Sequence, residues 1–172
     1  NFDGLYGFLT GLYAANYDTT DIFVDQTLKI AGDDLTELAK MIERLDATAA
    51  KEGFAMFTAE GKEILSNILF IQFSNVISDN QIRQAEDVVD IKELETIRLF
   101  LNKNIPNINR KRKVLRESVT VDKNGKIFLI ECILFLDNSY EIAINDISRQ
   151  EEESRMKRQL TQNVAHELKT PV

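Results

Sequence analysis

The 172-residue chain contains one histidine, and the residues around it set the chemical question. His166 stands in "NVAHELKTPV", residues 163–172, with Glu167 beside it, Thr170 four residues on and Pro171 next. An imidazole exposed on a helix offers a lone pair near neutral pH and can act as a nucleophile. An adjacent carboxylate can orient the ring or take its proton. Residues i and i+4 share a helical face, so Thr170 can hold a water over whatever His166 carries. A zinc-protease reading of His-Glu fails, because that motif needs a second histidine where Thr170 stands. No other histidine exists to complete a metal site. The single cysteine, Cys132, excludes an internal disulfide and a multi-cysteine metal site, in keeping with a reducing compartment.

The orientation of His166 depends on the helix that carries it. From Ser148 the chain reads as one charged helix in which Met156, Leu160, Val164, Leu168 and Val172 recur every four residues. That stripe suits helix-on-helix packing, while "EEESRMKR" keeps the other faces wet. At about 100° per residue, His166 lies about 200° from both Val164 and Leu168 and therefore points to solvent. Ser148, with Glu151 three residues on, has the spacing of a capping box. One helix cannot bury such a stripe by itself, so a homodimer is expected.

Upstream of Ser148 lies the clearest secondary structure. "KVLRESVTV", "KIFLIECILFL" and "SYEIAINDI" are rich in β-formers and are separated by the turn-forming "DKNG" and "DNS". They predict an antiparallel meander of three long strands, running straight into the charged helix with no loop between. The middle strand is apolar on both sides, with Ile127, Leu129, Ile133 and Phe135 on one and Phe128, Ile130, Cys132, Leu134 and Leu136 on the other. Both faces must therefore be covered, one by the domain's own helices and one by a dimer partner or a flanking helix. Glu131 interrupts this alternation. It faces a polar ligand, pairs with a Lys or Arg, or emerges at an edge; an isolated buried carboxylate is too costly.

Before the meander, "FAMFTAEGKEILSNILFIQF" predicts two short strands around a turn at 60–62 and an apolar helix from about Asn67. Residues 78–104 read as polar and helical, with Ile91, Leu94, Ile97, Phe100 and Leu101 on one face, and Pro106 ends the helix. Residues 1–50 hold two heptad-like stretches, Phe2/Leu5/Leu9/Leu12 and Leu35/Leu38/Ile42/Leu45, expected to form a helical hairpin. The fold class is thus α+β, an antiparallel sheet with helices on one face, flanked by an N-terminal helical segment and a C-terminal coiled-coil-like helix.

Composition narrows the partners. Twenty-one Lys and Arg stand against 28 Asp and Glu, a net charge of −7, which removes the electrostatic term that dominates nucleic-acid binding. No apolar run approaches the length of about 20 residues that spans a membrane. The chain opens at Asn1 without a methionine or a signal-peptide pattern, so it is expected to be a piece of a longer protein.

"HELKTP" resembles the phosphoacceptor box of the sensor histidine kinases of two-component systems. Five matched letters, H-E-L-x-T-P, arise by chance at about one start in a few million if each residue type has a frequency of about one in twenty. The resemblance implies that His166 is phosphorylated from ATP, that Glu167 is the acid/base activating its ring and that Thr170 positions water for dephosphorylation of the partner. It makes Pro171 a helix bend next to the site. Residues 53–147 are similar to a PAS sensory domain: two strands, a run of helices, three long strands, and a closing Asp146-Ile147-Ser148 like the Asp-Ile-Thr that joins PAS domains to output helices. These three residues, with Pro171, would couple the signal. Residues 1–50 look like a degenerate HAMP module, with "DDLTEL" at 33–38 as the acidic start of its second helix and without the usual proline in its first. Residues 148–172 are then the signalling helix and the truncated start of the phosphoacceptor domain.

What the family implies for the whole protein is a dimeric kinase anchored in a bacterial inner membrane, with this portion in the cytoplasm and a response regulator aspartate as phosphoryl acceptor. ATP and Mg are its cofactors. No glycine-rich nucleotide loop occurs among the seven scattered glycines, so the chain alone is expected to hold no cofactor and not to phosphorylate itself. A histidine-held haem is ruled out because the one histidine belongs to the output helix. A flavin photosensor needs a cysteine on a helix, whereas Cys132 falls in a strand and reads as a small core residue. An apolar ligand against "ILFIQF" remains open. The alternative function is a PAS-type ligand-binding or dimerisation module with a non-kinase output.

Overall fold

The computed structural model describes residues 1–15, 22–49, 51–107 and 113–169. Its centre is a five-stranded antiparallel sheet, β1 (Gly53–Phe57), β2 (Glu63–Ser66), β3 (Leu115–Lys123), β4 (Lys126–Leu134) and β5 (Tyr140–Asp146), in the order β2-β1-β5-β4-β3. The fold is α+β and PAS-like in its element order, with two strands, a run of helices and three long strands. Local chemistry fixes the turns. Asn124 and Gly125 have φ of 53° and 77°, and two successive left-handed residues give the two-residue turn that matches strand twist. Asn138, at φ 65°, turns the chain from β4 to β5.

Between β2 and β3 lie α4 (Ile68–Ile77), two short 3-10 turns at Ala85–Asp90 and Lys92–Leu94, and α5 (Glu95–Asn104). Asn67 caps α4 by accepting from Phe70 N–H at 3.0 Å. The same side chain accepts from Phe54 N–H at 3.1 Å and donates to the Glu52 carbonyl at 2.8 Å, so it also ties the helix to β1. Gly53 permits this closeness, since a Cβ there would lie 2.8 Å from the Phe70 backbone. The helical reading of 78–104 is correct only from Glu95 onward. Upstream, Asn75 holds Ile82 through both backbone groups, at 2.7 and 2.9 Å, and the apolar residues Ala85, Val88, Ile91 and Leu94 are buried from 3-10 turns.

The main core lies between these helices and the sheet's inner face. Phe128, Ile130, Cys132 and Leu134 of β4 point into it with Ile142 and Ile144 of β5, and they meet Phe70, Ile77, Leu94 and Ile97. Phe57 stacks on Tyr140 with ring centroids 5.0 Å apart. Each fully buried side chain of this size stabilises by about 1.5–3 kcal/mol. Phe70, from the run considered for a ligand, is buried in this packing, as are Ser74 and Ile77 further along α4.

The N-terminal segment forms α1 (Phe2–Ala15), α2 (Thr27–Ala31) and α3 (Leu35–Ala49). Asp34 starts α3 by accepting from Thr36 and Glu37 N–H at 2.9 and 3.1 Å. The expected hairpin is not what forms. Asp3 pairs with Arg44 at 2.7 Å and Tyr6 hydroxyl with Thr48 Oγ1 at 3.0 Å, so α1 and α3 run in the same direction. The connection 16–34 is long enough to return the chain to the starting end.

α3 is the flanking helix that covers the sheet's second face. Ala39 packs on Met56, Ile133 and Phe135, while Met41 and Ala47 are buried. Lys40 lies 5.7 Å from the Phe135 ring and bonds Asp137 and Glu37 at 2.7 and 2.9 Å. Burial alone would lower the Lys40 pKa, but its two carboxylate partners outweigh it and hold the ammonium above its ordinary value. The stripe Leu35/Leu38/Ile42/Leu45 is not the face that docks: Leu35 and Ile42 remain exposed. Among the described residues, no helix is long and apolar enough to cross a membrane.

Candidate functional site

The last element, α6 (Ser148–Lys169), carries His166 and Glu167 and is separated from β5 by one residue. Its start is pinned differently from the expected capping box. Ser148 is itself the first helical residue, and its hydroxyl accepts from Ile127 N–H at 2.9 Å instead of serving Glu151. The Asp146 carboxylate accepts from Ser148 N–H at 3.0 Å and from its hydroxyl at 2.5 Å. Ile147 N–H donates to the Ile127 carbonyl at 2.9 Å, and Glu151 N–H to the Ile147 carbonyl at 2.9 Å. The capping-box spacing is present, but the serine is drawn to the unpaired amide at the start of β4. All three of Asp146, Ile147 and Ser148 therefore bond across the junction of sheet and helix. Burial would raise the Asp146 pKa, yet the hydrogen bonds from Ser148 prevail and hold it below its ordinary value.

Beyond this junction the helix leaves the body. Every residue from Arg149 to Lys169 is exposed, including the stripe Met156, Leu160, Val164 and Leu168, at 48 to 83%. His166 and Glu167 are both exposed, as are the apolar stripe residues around them. His166 is eighteen positions beyond Ser148, so the imidazole stands about 27 Å along the helix at about 1.5 Å per residue. Thr170 and Pro171 lie outside the described residues.

An exposed imidazole next to a carboxylate on a protruding helix can accept a group delivered by a separate domain.

A second cluster is one that sequence reasoning missed. Glu141, on β5 facing α3, is 2% exposed, and its Oε2 accepts no hydrogen bond from any described residue. Its pKa is pushed up to about 8, first by burial and then by the charges of Glu43 and Glu52, with Arg116 and Arg44 acting in the opposite direction. Glu52 is raised by the same causes, burial first, then Glu131, Asp46 and Glu43. Glu131, the carboxylate that sequence singled out, is exposed at the rim of this cluster. The available signal was that Glu141, like Glu131, interrupts an apolar strand.

Cys132 is fully buried in the main core. Its thiol pKa is pushed well up by burial, then by Glu141 and Glu117, which leaves it an inert packing residue.

No family model matches the chain, and no curated protein matches it. Among solved structures, the PAS domain of Bordetella pertussis BvgS aligns with 74% of this chain and 97% of its own, at a TM-score of 0.36 and 14% identity.

Proposed function

We propose that this chain is the sensory and signal-transmitting portion of a membrane sensor histidine kinase. In the whole protein, His166 attacks the γ-phosphorus of Mg-bound ATP. The new N–P bond forms as the bond to the ADP oxygen breaks, and the ring proton passes to Glu167. The phosphoryl group then moves to an aspartate of a response regulator. Phosphoryl transfer relies on positioning and charge neutralisation, which in this reading come from an ATP-binding domain and its Mg. Thr170 holds the water that later removes the group from the regulator. The kinase is a homodimer closed along the α6 stripe, anchored in the inner membrane with this portion on the cytoplasmic side, and residues 1–50 act as its HAMP-like relay.

The observation that carries the reading is the sequence "HELKTP", whose His166 and Glu167 lie exposed on a helix that follows the sheet after one residue. The test uses the full-length kinase, or this chain extended by its ATP-binding domain, given radiolabelled ATP. The expected label is acid-labile and base-stable, and His166→Gln abolishes it. Label that survives the substitution, or no label despite bound ATP, would leave a sensory module with a non-kinase output.

A further inference from the structure

The sheet's outer face holds a cleft that the phosphoacceptor reading does not use. It lies between α3 and strands β3 to β5 and has a volume of about 440 Å³. Glu141 forms its floor with Ile133 and Ala143, while Glu43, Asp46, Glu52 and Glu131 complete the acidic lining. Against these five carboxylates the lining contains one guanidinium, Arg116, already bound to Glu43 at 2.7 Å. Arg44, the other cation near Glu141, gives its Nη1 to Asp3 and lies over the Tyr6 ring.

Glu141 is the decisive residue. Its neighbours across the sheet are Met56 and Ile133, which offer no side-chain donor. A buried acceptor left unpaired costs about 1–3 kcal/mol, so a donor brought from outside gains what the chain leaves unmet. The excess of carboxylates selects a cationic donor. A bare metal ion is a poor fit, because among the described residues no three ligating side chains stand together as a metal site. The apolar strip of Ile133 and Ala143 beside the acids suits a methylene chain. Asp46 and Glu131 are exposed and mark the entrance.

We propose that the cleft between α3 and the outer face of the sheet binds a small organic cation carrying a primary ammonium, with Glu141 Oε2 as its buried acceptor and Asp46 and Glu131 at its mouth. The site does not depend on phosphorylation of His166 and can be tested separately from it. The groups facing Glu141 are Glu43, Arg44 and Asp46 from α3, Glu52 before β1, Arg116 from β3 and Glu131 from β4. An ammonium in their midst favours the ionised form of Glu141, so binding displaces its proton.

The probe is 1,4-diaminobutane, titrated calorimetrically into this chain at physiological ionic strength, with 1,4-butanediol as the uncharged control. Saturable one-to-one binding is expected, with no binding of the diol. The heat at neutral pH should differ between buffers of different ionisation enthalpy, which reports the released proton. Glu141→Gln should weaken binding by about tenfold or more and remove the buffer dependence, and Glu131→Gln at the exposed rim should weaken it less. The thermal transition of Glu141→Gln without ligand shows that the variant is folded. Absence of saturable binding at millimolar diamine, equal binding by folded Glu141→Gln, or equal binding of the diol would each overturn the proposal.

Discussion

α3 and α6 both carry apolar stripes of the kind that pack helices together, and they meet different surroundings. α3 lies on the sheet, yet the residues it buries are Lys40, Met41 and Ala47, while Leu35 and Ile42 of its stripe stay exposed. α6 touches the body at its first turn and exposes Met156, Leu160, Val164 and Leu168 of its stripe. On α3, the contact surface is chosen by what fits over Met56, Ile133 and Phe135: short side chains such as Ala39, and an amphipathic lysine whose head reaches Asp137. On α6 there is no sheet underneath, and the described part of its stripe stays exposed. Periodicity identifies an amphipathic helix, but the neighbouring surface decides which of its faces is buried.

The sharpest way to test that contrast is to truncate an apolar side chain in each region. Phe128→Ala, inside the main core, should cost about 3–5 kcal/mol in urea unfolding. The matching Leu160→Ala on α6 should change monomer unfolding by less than about 0.5 kcal/mol while weakening self-association in sedimentation. Equal losses at the two positions would mean that α6 is folded back on the body.

Next in size is the pH response of the face under α3. The Glu141 carboxyl is raised from the ordinary 4.5 to about 8, so the folded chain binds more protons than the unfolded chain between those values. Its contribution to stability is complete below about pH 4.5 and is lost progressively up to about pH 8, by on the order of a few kcal/mol. Urea midpoints of the wild type should therefore fall across this window more steeply than those of Glu141→Gln. Parallel curves would show that Glu141 is not held in a protonated, buried state.

The smallest effect is expected where the two regions join. Ser148→Ala removes the hydroxyl that accepts from Ile127 and donates to Asp146, at a cost of about 1 kcal/mol. Hydrogen exchange should quicken at Ile127 and in the first turn of α6 and remain unchanged at Ile130 and Ile142. Acceleration throughout the sheet would instead make the junction part of the core's cooperative unit.

The sequence was most informative where pattern and turn chemistry agree. The meander followed from β-formers around Asn-Gly and Asp-Asn-Ser, and the two apolar sides of β4 are divided as its alternation predicts. Residues 85–94 were harder to read, because 3-10 turns can bury Val88 and Leu94 at spacings that also suit an α-helix. Ser148 and Glu151 have a capping-box spacing, but the competing partner, Ile127, comes from a strand that sequence proximity does not reveal. Glu131 and Glu141 both interrupt apolar strands; only the placement of α3 decides that the first is wet and the second buried.

The junction also has a mechanical meaning. With a single residue, Ile147, between β5 and α6, and with Ser148 bonded to Asp146 and to Ile127 at the start of β4, the helix is a lever arm with its fulcrum at Ile127. A tilt of about 5° at that fulcrum sweeps the imidazole of His166 through about 2 Å at a radius of about 27 Å. A change in the sheet too slight to disturb its hydrogen bonds is thereby magnified, at the far tip, to a displacement longer than a covalent bond.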